Sequence, residues 1–561
     1  MLSKSPKIKI IIKMPSTLNF LTIISLLISS IISSNKTEAR IKFTAQQNWE
    51  IVYQDFDPNE NYVATAFYTD SLLEVGWDKL SISTNDIYKD EIQAEGAGRL
   101  EAALTKDRIY DFYLNLKEEI KITEQISKFL EDQENFVINS VENGEGKRDP
   151  IMYNAYLIKK QYNGMIDEYN IHADADKKLE KNNFHLMNYY PDLMDLSEKF
   201  KVETEGEKDY KKMDNKELFK IFLERNHCSA LFKLKNDFSD LYFGHNTWNT
   251  YFSTIRLIKE YNFNFNNRWI RSKNIIFTSY PATLYSTDDF YISSHGLISI
   301  ETTNNFFNDS LYSKMTPNSL FTCERAMICN RISNSSKEWA ENFAKYNSGT
   351  YNNQFMILDK NKVDLVNKSI EIDAFYIVET LPGLVKINNV SDIFKFGYWS
   401  SFNLPYDKEI YDLSGLKEVI DANPWSVSYL SYDMSARTKI FRRDQWSSDN
   451  LEGFMKLMRY NDYKHDPFSE NNPALSISSR ADLDSGCHGA YDSKVGVLSE
   501  WGESNIKFHL IGGPTYGYDG VEPFAWNNAK DETCRNHVHY SIPEVLKFDW
   551  IEYENEFSFE K

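Results

Sequence analysis

Glu224-Arg225-Asn226-His227-Cys228-Ser229-Ala230-Leu231-Phe232, followed by Phe243-Gly244-His245-Asn246-Thr247-Trp248, is the stretch whose reading decides the fold. Taken alone, Cys228 reads as a buried structural residue, because free cysteine is among the most buried residue types. A second reading has the peptide bond before Cys228 cut, so that Cys228 becomes a new N-terminus. A terminal cysteine carries its own base: the freed α-amine, with a reference pKa of about 7.7–8.0, sits beside the thiol. Such a pair is an activated nucleophile without a separate histidine.

Outward from that stretch, the 561 residues carry 42% hydrophobic and 15% aromatic side chains, enough for a large core and too much for disorder. The formal charge of -19 excludes a generic nucleic-acid binder, which shows a basic footprint. Lys4, Lys7, Lys9 and Lys13 precede an apolar run from Leu18 to Ile32, and small residues follow. This is the pattern of a secretory signal peptide, here residues 1–39, cleaved between Ser34 and Ala39. The run is short and serine-interrupted for a membrane span, and no later segment is long and apolar enough for one.

Entry into the secretory path permits disulfides. Of the five cysteines, an odd one is left over as a candidate reactive thiol. The other four, Cys323, Cys329, Cys487 and Cys534, permit three pairings. Proximity pairs Cys323 with Cys329 and Cys487 with Cys534, leaving Cys228 free. Asn308, Asn334, Asn367 and Asn389 head N-x-S/T sequons and are candidate glycan sites.

In chain order, residues 40–90 read as extended, residues 94–140 and 150–172 as helical. Residues 199–216 are charged and poor in apolar side chains, the clearest linker in the chain. The spacing predicts a hairpin over 285–303, strands over 355–359 and 370–379, a break at Pro382-Gly383, and helical patches near 311–316, 335–346 and 450–460. Mixed elements of this kind suggest a layered α+β domain. There is no Gly-rich phosphate loop, no G-x-S-x-G elbow and no H-E-x-x-H helix, and His537-Val538-His539 lacks a second ligand pair, so neither cofactor nor metal is expected.

Asn226 to Leu231 with Gly244 to Trp248 resembles the phospholipase B-like family. So do Ser348-Gly349-Thr350-Tyr351-Asn352-Asn353-Gln354, Glu379-Thr380-Leu381-Pro382-Gly383, Ser401 to Tyr406, Ser478 to Leu483, and Gly513-Pro514-Thr515 through Pro523-Phe524-Ala525-Trp526. These blocks run in order through nearly all of the chain after Cys228. Ala94 to Glu101 and Gln161 to Met165 match more loosely.

The resemblance implies a four-layer αββα N-terminal nucleophile hydrolase, secreted or lysosomal, cut by its own Cys228 into fragments 40–227 and 228–561 that stay associated. It places His245 and Trp248 near the nucleophile and Asn403 in the inner pocket as an oxyanion donor. Arg437 would pair with a carboxylate or phosphate, or stabilise the site electrostatically. Asn353, Thr303 and Arg480 are more in keeping with structural roles. The leading expectation is an acyl hydrolase of phospholipids. The alternatives are an amidase of N-acyl amides or peptides, and a processed, non-catalytic glycoprotein that binds lipid or protein. Substrate does not follow from the scaffold, which hosts many reactions.

Overall fold

The computed structural model describes residues 36–225, 227–484 and 486–558. Two antiparallel-dominated sheets organise it. The larger has eleven strands, ordered 384–389, 375–381, 353–359, 297–303, 290–293, 274–279, 257–262, 78–84, 64–69, 36–43 and 49–52. Every neighbouring pair is antiparallel except Asp78–Thr84 with Leu257–Asn262, which run parallel. That pair joins the four strands before Cys228 to the seven after it. The smaller sheet has six strands, ordered 398–401, 229–234, 241–246, 492–497, 507–512 and 551–554.

Side-chain alternation along each strand divides the core. Ala230, Phe232 and Leu234 join Phe243, Ile258, Ile292 and Met356 in one apolar cluster to which both sheets contribute. Leu231 and Tyr242, on the other face of the smaller sheet, pack with Ile440, Phe454 and Met458 of the helices there. The other face of the larger sheet, through Leu257, Phe277 and Phe355, packs on helices that include Leu100, Leu157 and Met327. No described helix is long and apolar enough to cross a membrane.

The helices Asp90–Leu116 and Pro150–His172 cross closely. A Cβ on Gly98 would sit 1.9 Å from the Gln161 carbonyl oxygen, and one on Gly164 would sit 2.4 Å from that of Glu95. The two blocks of looser resemblance before Cys228 are therefore the two sides of one contact, and glycine is required where the backbones meet.

Several expectations are corrected. The stretch 199–216 is not an open linker: the helix Tyr190–Glu205 runs through its first part, Lys199 is buried, and a short 3-10 turn, Tyr210–Lys212, follows Gly206. Its charges read as a linker because they lie on a helix face that meets solvent. Residues 1–35 of the expected leader lie outside the described residues, but residues 36–39 form the start of the penultimate strand of the larger sheet, with Ala39 fully buried. Pro382-Gly383 does break the chain, as a tight hairpin turn with Leu381 paired to Leu384. Of the candidate glycan sites, Asn334 and Asn367 are exposed and Asn308 is half-buried. Asn389 is exposed, but its Nδ2 donates to the Ile372 carbonyl (2.7 Å) and to Asp373 Oδ1 (2.9 Å).

Cys323 and Cys329 are not bonded; both are free and buried. They lie on one helix, Thr322–Ile332. Six residues of α-helix rise about 9 Å, beyond the roughly 7 Å that a disulfide spans between Cα atoms. Cys487 and Cys534 are bonded, with Cα atoms 5.3 Å apart. The bridge closes a loop of 47 residues, for which chain entropy gives about 4 kcal/mol. Replacing both cysteines by serine is expected to lower the melting temperature by several degrees, read by calorimetry at fixed pH.

Candidate active site

Cys228 stands between the helix Asn215–Arg225 and the strand Ser229–Leu234. Asn226 lies outside the described residues. Cys228 is 1% exposed and has φ +90, a conformation that L residues with a Cβ seldom adopt. Upstream, Arg225 is tied by its guanidinium to Glu198 (3.0 Å) and to the Phe306 carbonyl (3.3 Å). His227 Nδ1 donates to the Trp248 carbonyl at 2.8 Å. The residue before the thiol is thus clamped from both sides.

The His227 carbonyl oxygen accepts two hydrogen bonds, from Asn403 Nδ2 at 2.5 Å and from the Thr303 N–H at 3.2 Å. Asn403 has φ +69, a region asparagine tolerates better than most residues. Its amide is oriented by Arg437, whose Nη2 donates to Asn403 Oδ1 at 2.8 Å. Arg437 Nη1 donates to the Cys228 carbonyl at 2.7 Å. The guanidinium lies 4.3 Å from the centre of the Trp248 ring, and burial lowers its pKa to about 9. Arg437 is therefore spent inside the protein, not left for a ligand carboxylate. Trp248 serves as a platform: its ring carries Arg437 and its carbonyl holds His227.

On the other side of Cys228, the thiol faces Glu301 Oε1 at 3.9 Å. The Tyr351 hydroxyl lies 3.0 Å from the same oxygen, and Asn353 Nδ2, with its amide oriented to suit its neighbours, donates to Glu301 Oε2 at 2.9 Å. Burial pushes both the thiol and the Glu301 carboxyl well above their ordinary ranges. His245, on the adjoining strand opposite Ala230, is fully buried. Burial and then Lys494 push its pKa well down, against Asp288 and the Glu301 backbone, and no hydrogen bond of normal geometry reaches either ring nitrogen. Lys494 lies 2.9 Å from both Asp288 and Asp492, and Arg256 bridges the same two carboxylates. This four-charge cluster is electrically balanced and fully buried.

The sequence-derived residues thus converge in large part. Cys228, His245, Trp248, Asn403, Arg437, Thr303 and Asn353 form one contiguous site. Arg480 does not belong to it: it is buried on Asp482 and the Thr515 and Glu522 carbonyls. Glu301, Tyr351, Lys494 and Asp288 were not anticipated as site residues. The signal available for Glu301 was a single acid in the otherwise uncharged strand Leu297–Thr303.

A family model described as Phospholipase B matches residues 64–553. The chain belongs to the phospholipase B family. It is 35% identical over 500 residues to Phospholipase B-like 1 of Rattus norvegicus, covering 87% of each chain. It is 35% identical over 512 residues to Phospholipase B of Crotalus adamanteus, covering 88% of each. Over 526 residues it is 33% identical to Phospholipase B-like protein B of Dictyostelium discoideum, covering 91% of this chain and 89% of the relative.

In this phospholipase B family chain, a cavity of about 1030 Å³ reaches the site at His227, Thr303 and Tyr351. Its wall includes the segment just before Cys228, from Lys216 through Arg225, and apolar groups such as Met194, Phe219, Phe252 and Phe306. Asp195 also lines it, beside fully buried Asp192. Burial pushes the carboxyl of Asp192 up to about 6 and that of Asp195 up to about 7, from an ordinary 3.8. Between about pH 4 and pH 7 the folded chain therefore holds protons that the unfolded chain has released, and this contribution to stability is lost as pH rises through that window. The chain is expected to melt at a higher temperature near pH 5 than near pH 7.5. Asp195→Asn, which cannot ionise, should narrow the difference.

Proposed function

We propose that this chain is the precursor of a phospholipase B-type acyl hydrolase whose catalyst is Cys228 as a new N-terminal residue. The observation that carries the reading is the His227 carbonyl, held by Asn403 Nδ2 and the Thr303 N–H beside a thiol-bearing residue in a strained conformation. In the maturation step Cys228 Sγ attacks the His227 carbonyl carbon. The S–C bond forms, and the oxygen takes up negative charge between the two donors. The C–N bond then breaks, and the amine leaves with the thiol's proton. Water cleaves the thioester, releasing a His227 carboxylate and restoring the thiol. With His227 free to withdraw, Asn403 and Thr303 are vacated for the carbonyl oxygen of a substrate.

In turnover the thiol attacks a fatty acyl ester and the α-amine accepts its proton. The amine returns that proton to the departing glycerol oxygen, and water resolves the acyl-thioester to a fatty acid. The names of the relatives support lipid esters as substrates. So does a cavity with apolar walls that borders the scissile residue. In this reading the two sheets and their outer helices are the four-layer arrangement of an N-terminal nucleophile hydrolase. The two fragments on either side of the 227/228 bond stay together through the shared eleven-stranded sheet. The protein is a secreted or lysosomal glycoprotein, with exposed Asn334 and Asn367 as the first glycan sites to map.

The test is to purify the protein, sequence its N-termini, and incubate it with a mixed extract of phospholipids and N-acyl amides followed by mass spectrometry. A fragment beginning at Cys228 and loss of phospholipid with gain of fatty acid support the reading. Loss of acyl amides alone makes the protein an amidase. A mature fragment that starts elsewhere removes the α-amine base and overturns the mechanism.

A further inference from the structure

Three side chains meet at the thiol with the composition of a soft-metal site, although no metal spacing is present in the sequence. The Sγ of Cys228, a ring nitrogen of His245 and a carboxylate oxygen of Glu301 all lie within 4.8 Å of one another, and all three residues are buried. A tetrahedral zinc ion with bonds of about 2.0–2.3 Å holds its donors roughly 3.5 Å apart. With Sγ and Glu301 Oε1 at 3.9 Å, closure by side-chain adjustment of about an ångström or less is enough.

A second, independent feature points the same way. His245 is fully buried with both ring nitrogens lacking a hydrogen bond, an arrangement that buried polar groups avoid unless something else binds them. A neutral imidazole is the commonest protein metal ligand. Glu301 is oriented by the Tyr351 hydroxyl and Asn353 Nδ2, as carboxylates that ligate metals are. The ligand charges also match the ion. A thiolate and a carboxylate neutralise a divalent ion, and the nearby Arg256, Lys494, Asp288 and Asp492 cancel among themselves.

We propose that Cys228, His245 and Glu301 form a binding site for a soft divalent cation, zinc above all, and that the bound ion holds the thiol away from the His227 carbonyl. Thiolate and imidazole select zinc over magnesium or calcium, which prefer oxygen donors. Coordination forms an S–Zn bond, sends the thiol proton and any Glu301 carboxyl proton to solvent, and changes no oxidation state. The ion enters through the cavity that reaches Tyr351. Binding stands on the side-chain geometry alone; the block on cutting rests on the proposed role of Cys228 as attacker.

The experiment is an anaerobic titration of the purified wild-type protein with cobalt(II). The expected result is a thiolate-to-cobalt charge-transfer band that saturates at one equivalent and is abolished by zinc. Cys228→Ala should remove the band. Glu301→Gln, nearly the same shape, should retain it but weaken affinity by about tenfold or more. A wild-type protein without the band overturns the site, as does a band that persists in Cys228→Ala, which would place the metal on Cys323 or Cys329. Freshly synthesised wild-type chain should cut more slowly in zinc than in chelator. A chain that shows the band but is never cut supports the site and refutes the proposed function. Cutting at an unchanged rate with the site saturated refutes the block.

Discussion

Cys228→Ala is expected to leave one uncut chain and no measurable acyl hydrolysis. The substitution removes the only thiol beside the His227 carbonyl among the described residues, since the other free cysteines, Cys323 and Cys329, lie in a separate helix. Loss of a nucleophile typically costs several orders of magnitude in rate. The fold should survive, because losing one sulfur at a small buried side chain is a change of about 1 kcal/mol. The bonds from Arg437 to the Cys228 carbonyl and from Thr303 and Asn403 to the His227 carbonyl involve backbone oxygens that alanine retains. Cys228→Ser keeps a weaker attacker and should be cut slowly. The checks are a denaturing gel, N-terminal sequencing and a melting curve. If Cys228→Ala, expressed in cells that lack related proteases, is still cut between residues 227 and 228, the cut is not the chain's own.

Asn403→Ala is expected to slow the cut by about 10²–10³-fold, the usual effect of removing one oxyanion donor. Only the Thr303 N–H, at 3.2 Å, would remain to meet the developing charge. Asn403→Asp should be slower still, because it sets a carboxylate oxygen where Nδ2 now donates. Arg437→Lys keeps a charge but loses the planar fork that reaches the Cys228 carbonyl and Asn403 Oδ1 together, so it should fall between wild type and Asn403→Ala. A structural role alone would show as a lower melting temperature with an unchanged cutting rate. Asn403→Ala that is cut at the wild-type rate would sink the oxyanion assignment. The half-time of cutting in a pulse-chase, read beside the melting curve, separates the two.

Residue patterns carried the regular elements. The helix Pro150–His172 was legible because its apolar side chains recur with helical spacing. The pairing of Phe290–Ser293 with Leu297–Thr303 was legible because β-formers flank the tight turn at Gly296. The helix Tyr190–Glu205 was less legible: seven of its 16 residues are charged, and composition alone cannot tell a solvated helix face from a linker. Cys323 and Cys329 misled for a related reason. Nearness in sequence suggests a bond, but a helix holds residues six apart at a fixed distance that forbids one.

The sequence by itself determined that Cys228, flanked by the blocks that follow it, is the residue to watch, and that the chain has an α+β core. The tertiary structure alone decided what surrounds the thiol. Glu301, Asn403 and Arg437 stand 73, 176 and 209 residues from the Cys228–His227 pair, on separate elements. No local periodicity encodes such meetings, because they follow from strand order and from the packing of the two sheets. The same holds for Lys494: a lysine in a strand reads as solvent-facing until the segments leading into the strands 257–262 and 290–293 supply Arg256 and Asp288 and offset the cost of its burial.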